Sequence, residues 1–179
     1  MVPPRGIRAN RARLRGGPAL KPGDAAPTVR PRKRVLFVCI GNACRSQMAE
    51  GFARAYGADV LIAASAGLGP AMNVARDTIA AMLEKGIDLR AHFPKAIRNL
   101  GRAEFDIVVN MSGSEILPVE VPGSEIIEWD VADPVYMKYE DHCKIRDEIE
   151  TLVMQLVLDL RQSTKPPRMR GQGSGRLEL

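Results

Sequence analysis

The chain has 179 residues, 45% hydrophobic and 26% charged, which suits one domain with a real core and excludes two large ones. No apolar run approaches the ~20 residues that span a bilayer, and no secretory-type apolar core stands near the start, so a cytoplasmic location is expected. The net charge of +5 is unevenly spread: residues 1–34 hold ten Lys or Arg against Asp24, residues 162–179 hold four against Glu178, and the body between stands at −7.

Basicity confined to the two ends argues against a dedicated nucleic-acid surface and leaves only weak tail contacts with polyanions. Residues 1–33, rich in Pro, Gly and Arg, are expected to form a disordered basic tail, and 162–179 a second one, around a catalytic domain at 34–161. Three cysteines are too few and the wrong parity for a disulfide scaffold, and two of them cluster as in a reactive site.

Residues 34–38 read as a buried strand, and 46–56 as a helix with Met48, Phe52 and Ala55 on one side. A second strand at 60–64 leads into Ser65-Ala66-Gly67. Asn73 is expected to cap a helix with an apolar stripe of Ala75, Ile79, Met82 and Leu83, stopped by Gly86. Residues 105–110 form a third strand and 125–128 a short fourth. The last helix, 140–161, carries Ile145, Ile149, Leu152, Leu156 and Leu160 at helical spacing, with His142, Cys143, Arg146 and Glu150 assigned to its solvated side. Strands alternating with helices predict an α/β fold: a single doubly wound domain whose four-stranded parallel sheet is flanked by helices on both faces. Ligands bind beyond the carboxyl ends of such strands, and Cys39 sits at one.

The stretch VLFVCIGNACRSQMAEGF, from Val35 to Phe52, is the chemical centre of the sequence. A loop that closes onto a helix N-terminus aims several backbone amides at one point, with the positive end of the helix dipole behind them. The loop Ile40-Gly41-Asn42-Ala43-Cys44, followed by Ser46, fits such an oxyanion cradle. Gly41 and Asn42 tolerate unusual backbone angles. Arg45 can fork onto two anion oxygens, a geometry unavailable to Lys. The same field favours the thiolate of a cysteine at its centre, so Cys39 is expected to be the nucleophile, with Ser46 donating to its sulfur. No group of His, Cys, Asp and Glu has metal-ligand spacing, so no metal or other cofactor is implied.

These residues resemble the active-site loop of the low-molecular-weight protein tyrosine phosphatases, a fold shared with the thioredoxin-coupled arsenate reductases. The resemblance runs from about Arg34 to Arg161 and takes in Ser65-Ala66-Gly67, GIDLRAH from Gly86 to His92, and Asp133-Pro134. It implies that Cys39 is the nucleophile, that Arg45 holds the phosphate, and that Asp133 is the general acid, with Asp130 as the rival. It further implies that His92 joins Asn42, Ser46 and Ser65 in a network bracing the loop. Cys44 would protect Cys39 through a reversible disulfide, and Trp129 and Tyr136 would line the substrate pocket.

Two departures divide the functional reading. Phosphatases of this type show two tyrosines directly after Asp-Pro, whereas here the order is Asp133-Pro134-Val135-Tyr136, and the segment LGPAMN after Gly67 lacks the usual aromatic wall. Gln47-Met48-Ala49-Glu50-Gly51 and Trp129 look more like the reductase branch, yet that branch needs two more redox cysteines, and Ser112 stands where the first belongs. The expectation is therefore a cysteine-dependent phosphatase acting on a phosphorylated protein or small aryl phosphate. The alternatives are an arsenate reductase served by an external thiol or redox protein, and a non-catalytic oxyanion-binding regulator.

Overall fold

The computed structural model describes residues 31–101, 103–116, 121 and 124–163, so the expectations for residues 1–30 and 164–179 lie outside the described residues. Four parallel strands, β1 (Lys33–Cys39), β2 (Leu61–Gly67), β3 (Ile107–Asn110) and β4 (Glu125–Glu128), lie in the order β2-β1-β3-β4. Helices α1 (Arg45–Tyr56), α2 (Arg76–Glu84) and α3 (Tyr139–Ser163) and a 3-10 helix at Ile97–Leu100 complete the fold. The sheet and its helical cover are those expected from the sequence.

Strand alternation sorts the core into two layers. Val35, Phe37, Leu61, Ala63, Ile107 and Val109 face a cluster with Met48 and Phe52 of α1, Met82 of α2, and Ile149 and Val153 of α3. Leu36, Val38, Ala66 and Val108 face the other side, where Ile97 of the 3-10 helix packs with Phe105 and Ile116. Phe37, Met48 and Phe52 are fully buried, and truncating either Phe to Ala would cost about 3–5 kcal/mol. The β1–β2 register pairs Cys39 with Gly67, so Cys39 and the Ser65-Ala66-Gly67 segment end at the same edge of the sheet.

Helix α2 departs from the expectation. It starts at Arg76 with Ala75 as an extended, uncapped N-cap, and Asn73 is exposed. The reason is tertiary: the Ala75 amide donates to Ala43 O at 3.0 Å, which ties the segment before the helix to the loop between β1 and α1. Gly86, at φ 74, ends the helix as expected, and Leu83 of the predicted stripe is half exposed. His142 and Arg146, assigned to the solvated side of α3, are buried, with Arg146 donating to Ala81 O at 2.9 Å and to Glu84 at 2.7 Å. Among the described residues no helix is long and apolar enough to cross a membrane.

Candidate active site

Strand β1 delivers Cys39 to the carboxyl edge of the sheet, and α1 begins at Arg45. The carbonyls between them all turn toward protein. Those of Cys39, Ile40, Gly41 and Ala43 accept from the amides of Leu68, Gly69, Ala71 and Ala75 at 2.8–3.2 Å. Asn42 O accepts from Gln47 Nε2 at 3.0 Å, and Cys44 O from the amides of Gln47 and Met48, both at 3.0 Å. The amides of residues 41–46 donate to no described protein group, which leaves them for a ligand in front of the α1 dipole. This is the geometry of an oxyanion cradle.

Asn42 takes the left-handed conformation expected of it, φ 46, whereas Gly41 does not need one and has open space around it, its nearest neighbours 3.9 Å from where a Cβ would sit. The glycine that the loop requires is Gly67. A Cβ there would lie 2.7 Å from Ile40 O and 2.8 Å from the Asn42 amide, so only hydrogen allows β2 to close against the loop.

Ser46 Oγ lies 3.0 Å from Cys39 Sγ. Asn42 Nδ2 donates to both Ser46 Oγ (2.8 Å) and Ser65 Oγ (2.9 Å), while Lys95 N fixes the amide by donating to Asn42 Oδ1 at 2.7 Å. Ser65 in turn donates to the carboxylate of buried Glu50. Directions follow from this end of the chain: Glu50 only accepts, so Ser65 must donate to it, Asn42 must donate to both hydroxyls, and the Ser46 proton is left for Cys39. The sequence reading missed Glu50, which looks like an ordinary helix acid because Ser65 is distant in the chain. His92 does not join Asn42, Ser46 and Ser65 as expected. Its Nδ1 pairs with Gln47 Oε1 at 2.8 Å, and it reaches the loop only through Gln47; burial holds the imidazole below its ordinary pKa.

Arg45 is almost fully buried. Its Nη1 donates to Met111 O at 2.6 Å and Val131 O at 3.1 Å, its Nη2 pairs with Asp133, and its Nε has no partner. The structure thus brings Asp133 onto Arg45, whereas exposed Asp130 makes no such pair and lines, with Arg45, Trp129 and Ser112, a cavity of about 330 Å3. Trp129 packs on Phe37 with ring centroids 6.0 Å apart. Tyr136 has φ 67 and 103% exposure and lines a cavity with Cys44 but not with Cys39, so it builds no wall over Cys39.

Cys44 shares the loop with Cys39, and burial pushes its thiol up to about 11. The Thr78 hydroxyl, buried with no other hydrogen-bond partner, works against burial because it can donate to a thiolate there. Ser112, in the place of the expected relay cysteine, is buried and bonded to Asn110 Oδ1 at 2.7 Å. Cys143 lies apart on α3, 3.9 Å from Glu84 Oε2.

The model of the low molecular weight phosphotyrosine protein phosphatase family matches residues 34–166. A glutaredoxin arsenate reductase from Synechocystis sp. is 37% identical over 127 residues, covering 70% of this chain and 96% of that protein. Arsenate reductase 2 of Staphylococcus epidermidis is 32% identical over 124 residues, covering 68% and 94%. Among solved structures, an arsenate reductase in a phosphate-binding state superimposes with a TM-score of 0.66 at 34% identity, covering 72% of this chain and 98% of its own. The arginine phosphatase YwlE from Geobacillus stearothermophilus gives 0.58 at 27%, covering 73% and 94%. With Cys39, Arg45 and the amide cradle in one loop, and a family model spanning most of the described fold, this chain belongs to the low molecular weight phosphotyrosine protein phosphatase family.

Proposed function

We propose that the chain reduces arsenate, using Cys39 and Cys44 as its dithiol and an external thiol or redox protein to restore them. The observation that carries this reading is the contrast within the site. Everything needed to hold a bare tetrahedral oxyanion is built: the amides of residues 41–46, the unpartnered Arg45 Nε, and Ser46 on the sulfur. The slot for an aromatic leaving group is not built, because Tyr136 is fully exposed and lines no cavity with Cys39, and the segment after Gly67 brings no ring. The likeness to arsenate reductases supports the same reading over the phosphotyrosine phosphatase expected from the sequence.

The Cys39 thiolate attacks arsenic in line, and Asp133, once the oxyanion has replaced it on Arg45, protonates the departing oxygen as water. The sulfur–arsenic(V) adduct then needs a second thiol. Cys44 attacks Cys39 Sγ, the sulfur–arsenic bond breaks with its electron pair going to arsenic, and arsenite leaves. Arsenic gains two electrons and two thiols become the Cys39–Cys44 disulfide. The Cys44 proton passes to the Asp133 carboxylate, which lies near enough to disfavour the Cys44 thiolate.

Phosphatase activity is the second reading. The same cradle and acid can form a cysteinyl phosphate that water hydrolyses, and the match to YwlE supports it. The test is arsenate-dependent thiol oxidation in the presence of glutathione and glutaredoxin, or of thioredoxin and its reductase, beside aryl phosphate hydrolysis. Under the reductase reading Cys44→Ser abolishes the first and spares the second. Arsenate turnover that survives in Cys44→Ser would refute the assigned dithiol.

A further inference from the structure

Thr78 stands in the first turn of α2, fully buried, and its Oγ1 is sealed from solvent with no hydrogen-bond partner. A buried threonine in a helix ordinarily returns its hydroxyl proton to a carbonyl one turn back, and an idle buried donor is destabilising. This hydroxyl lies within reach of the Cys44 sulfur instead. The Ala75–Ala43 hydrogen bond holds the start of α2 against the loop, and Cys44 lines one cavity together with Ala75, Arg76 and Asp77. We propose that Thr78 is a positioning residue for the second thiol: its hydroxyl donates to Cys44 Sγ when that sulfur is a thiolate, and so readies it to attack Cys39.

Because the hydroxyl is sealed, only the protein can satisfy it, and the two states of Cys44 do so unequally. A neutral thiol sulfur is a weak acceptor, so the donor stands idle while Cys44 is protonated. A thiolate is a fully charged acceptor and takes a charge-assisted bond. The idle hydroxyl is thus a bias toward the reactive form of the sulfur. Cys44 needs one, since it is buried and burial pushes its thiol up to about 11. Cys39 and Asp133 disfavour the thiolate further by their charge, whereas Thr78 and, less strongly, Arg45 favour it. Thr78 carries no charge and comes from α2 rather than from the loop, so its effect falls on the second thiol and not on the oxyanion.

The step balances. After its proton has passed to Asp133, the Cys44 thiolate attacks Cys39 Sγ, the bond from that sulfur to its leaving group breaks, and the electron pair departs with the group: arsenite from the arsenate adduct, hydroxide from a sulfenic acid. The Thr78 proton stays on its own oxygen throughout. Removing one charge-assisted hydrogen bond cuts the thiolate fraction about ten- to a hundredfold at neutral pH. The more basic thiolate that remains is the better nucleophile and recovers a little under half of that loss on a logarithmic scale. The attack by Cys44 should therefore slow about three- to tenfold.

The inference rests on the reading that Cys39 and Cys44 form the working disulfide, and its test uses peroxide so that arsenate reduction is judged by its own assay. Reduced full chain is treated with hydrogen peroxide, which takes the Cys39 thiolate to the sulfenic acid and is itself reduced to water, in the presence of dimedone. Cys44 and dimedone then compete for the same sulfur. Peptide mass spectrometry gives the ratio of Cys39–Cys44 disulfide to Cys39–dimedone adduct, which does not depend on the rate of the peroxide step. The ratio should fall about three- to tenfold in Thr78→Val, which keeps the shape and removes the hydroxyl, and recover in Thr78→Ser. A side chain that only filled space would lose nothing in Thr78→Val. Where thermal unfolding shows that Val disturbs the fold, Thr78→Ser against Thr78→Ala makes the same comparison, since both lose the buried methyl and differ in the hydroxyl. A ratio in Thr78→Val equal to wild type, or equal ratios in Thr78→Ser and Thr78→Ala, would overturn the role of Thr78 and leave the dithiol standing. A wild type that gives the adduct and no disulfide would overturn both.

Discussion

Replacing Gly67 by Ala should damage the catalytic loop far more than replacing Gly41, although Gly41 lies inside the loop and Gly67 outside it. At position 67 the new methyl would meet Ile40 O at 2.7 Å and the Asn42 amide at 2.8 Å, both backbone atoms that cannot swing aside. Restoring ordinary contact near 3.4 Å requires the loop to retreat by about 0.7 Å, and overpacking of this kind costs roughly 1–3 kcal/mol. A cradle displaced by that distance should bind and process oxyanions roughly tenfold or more worse, since about 1 Å can cost a hundredfold. At position 41 the nearest atoms are 3.9 Å away and no left-handed φ is required, so Ala should change stability by less than about 0.5 kcal/mol. Thermal unfolding and calorimetric titration with inorganic phosphate measure both effects. Equal behaviour of the two variants, or unimpaired phosphate binding in Gly67→Ala, would refute the packing argument.

Glu50→Gln supplies an amide where the network needs a pure acceptor, so iodoacetamide should alkylate Cys39 several-fold more slowly, with Glu50→Asp restoring part of the rate; alkylation at the wild-type rate would remove Glu50 from the network. The Cys44 thiol is held at about 11 against an ordinary 9.0, so it favours the fold below pH 9, and this contribution, about 3 kcal/mol, is lost as pH rises through 11. Urea unfolding of wild type should therefore show an alkaline loss that Cys44→Ala lacks, and parallel pH profiles would contradict it. In any aryl phosphate hydrolysis the chain performs, Asp133→Asn should cost less with nitrophenolate as leaving group than with phenolate, and equal losses would point to Asp130 or a purely structural role.

The sequence made the sheet legible because its strands are short apolar runs bounded by turns, and the β1–loop–α1 segment carries its chemistry within one continuous stretch. What stayed hidden depends on partners far apart in the chain. Glu50 looks like a solvent-facing helix acid until Ser65 is brought beside it, and His142 and Arg146 look solvated until α2 packs over them. The start of α2 follows the Ala75–Ala43 hydrogen bond rather than the capping preference of Asn73. His92 lies in the neighbourhood the sequence implies but acts one residue further out, since Gln47 stands between it and the loop. The proposed preference for reductase over phosphatase draws on the exposure of Tyr136, which no sequence pattern records.

The most direct test of the account is a single turnover without any external reductant. Fully reduced chain is mixed with excess arsenate, quenched, and analysed for arsenite and for intact and peptide mass. Reduction by the Cys39–Cys44 pair predicts about one arsenite per chain, a mass loss of two hydrogens, and a disulfide that maps to these two cysteines and is absent from Cys44→Ser. A chain that hydrolyses aryl phosphates but releases no arsenite and keeps both thiols would contradict it.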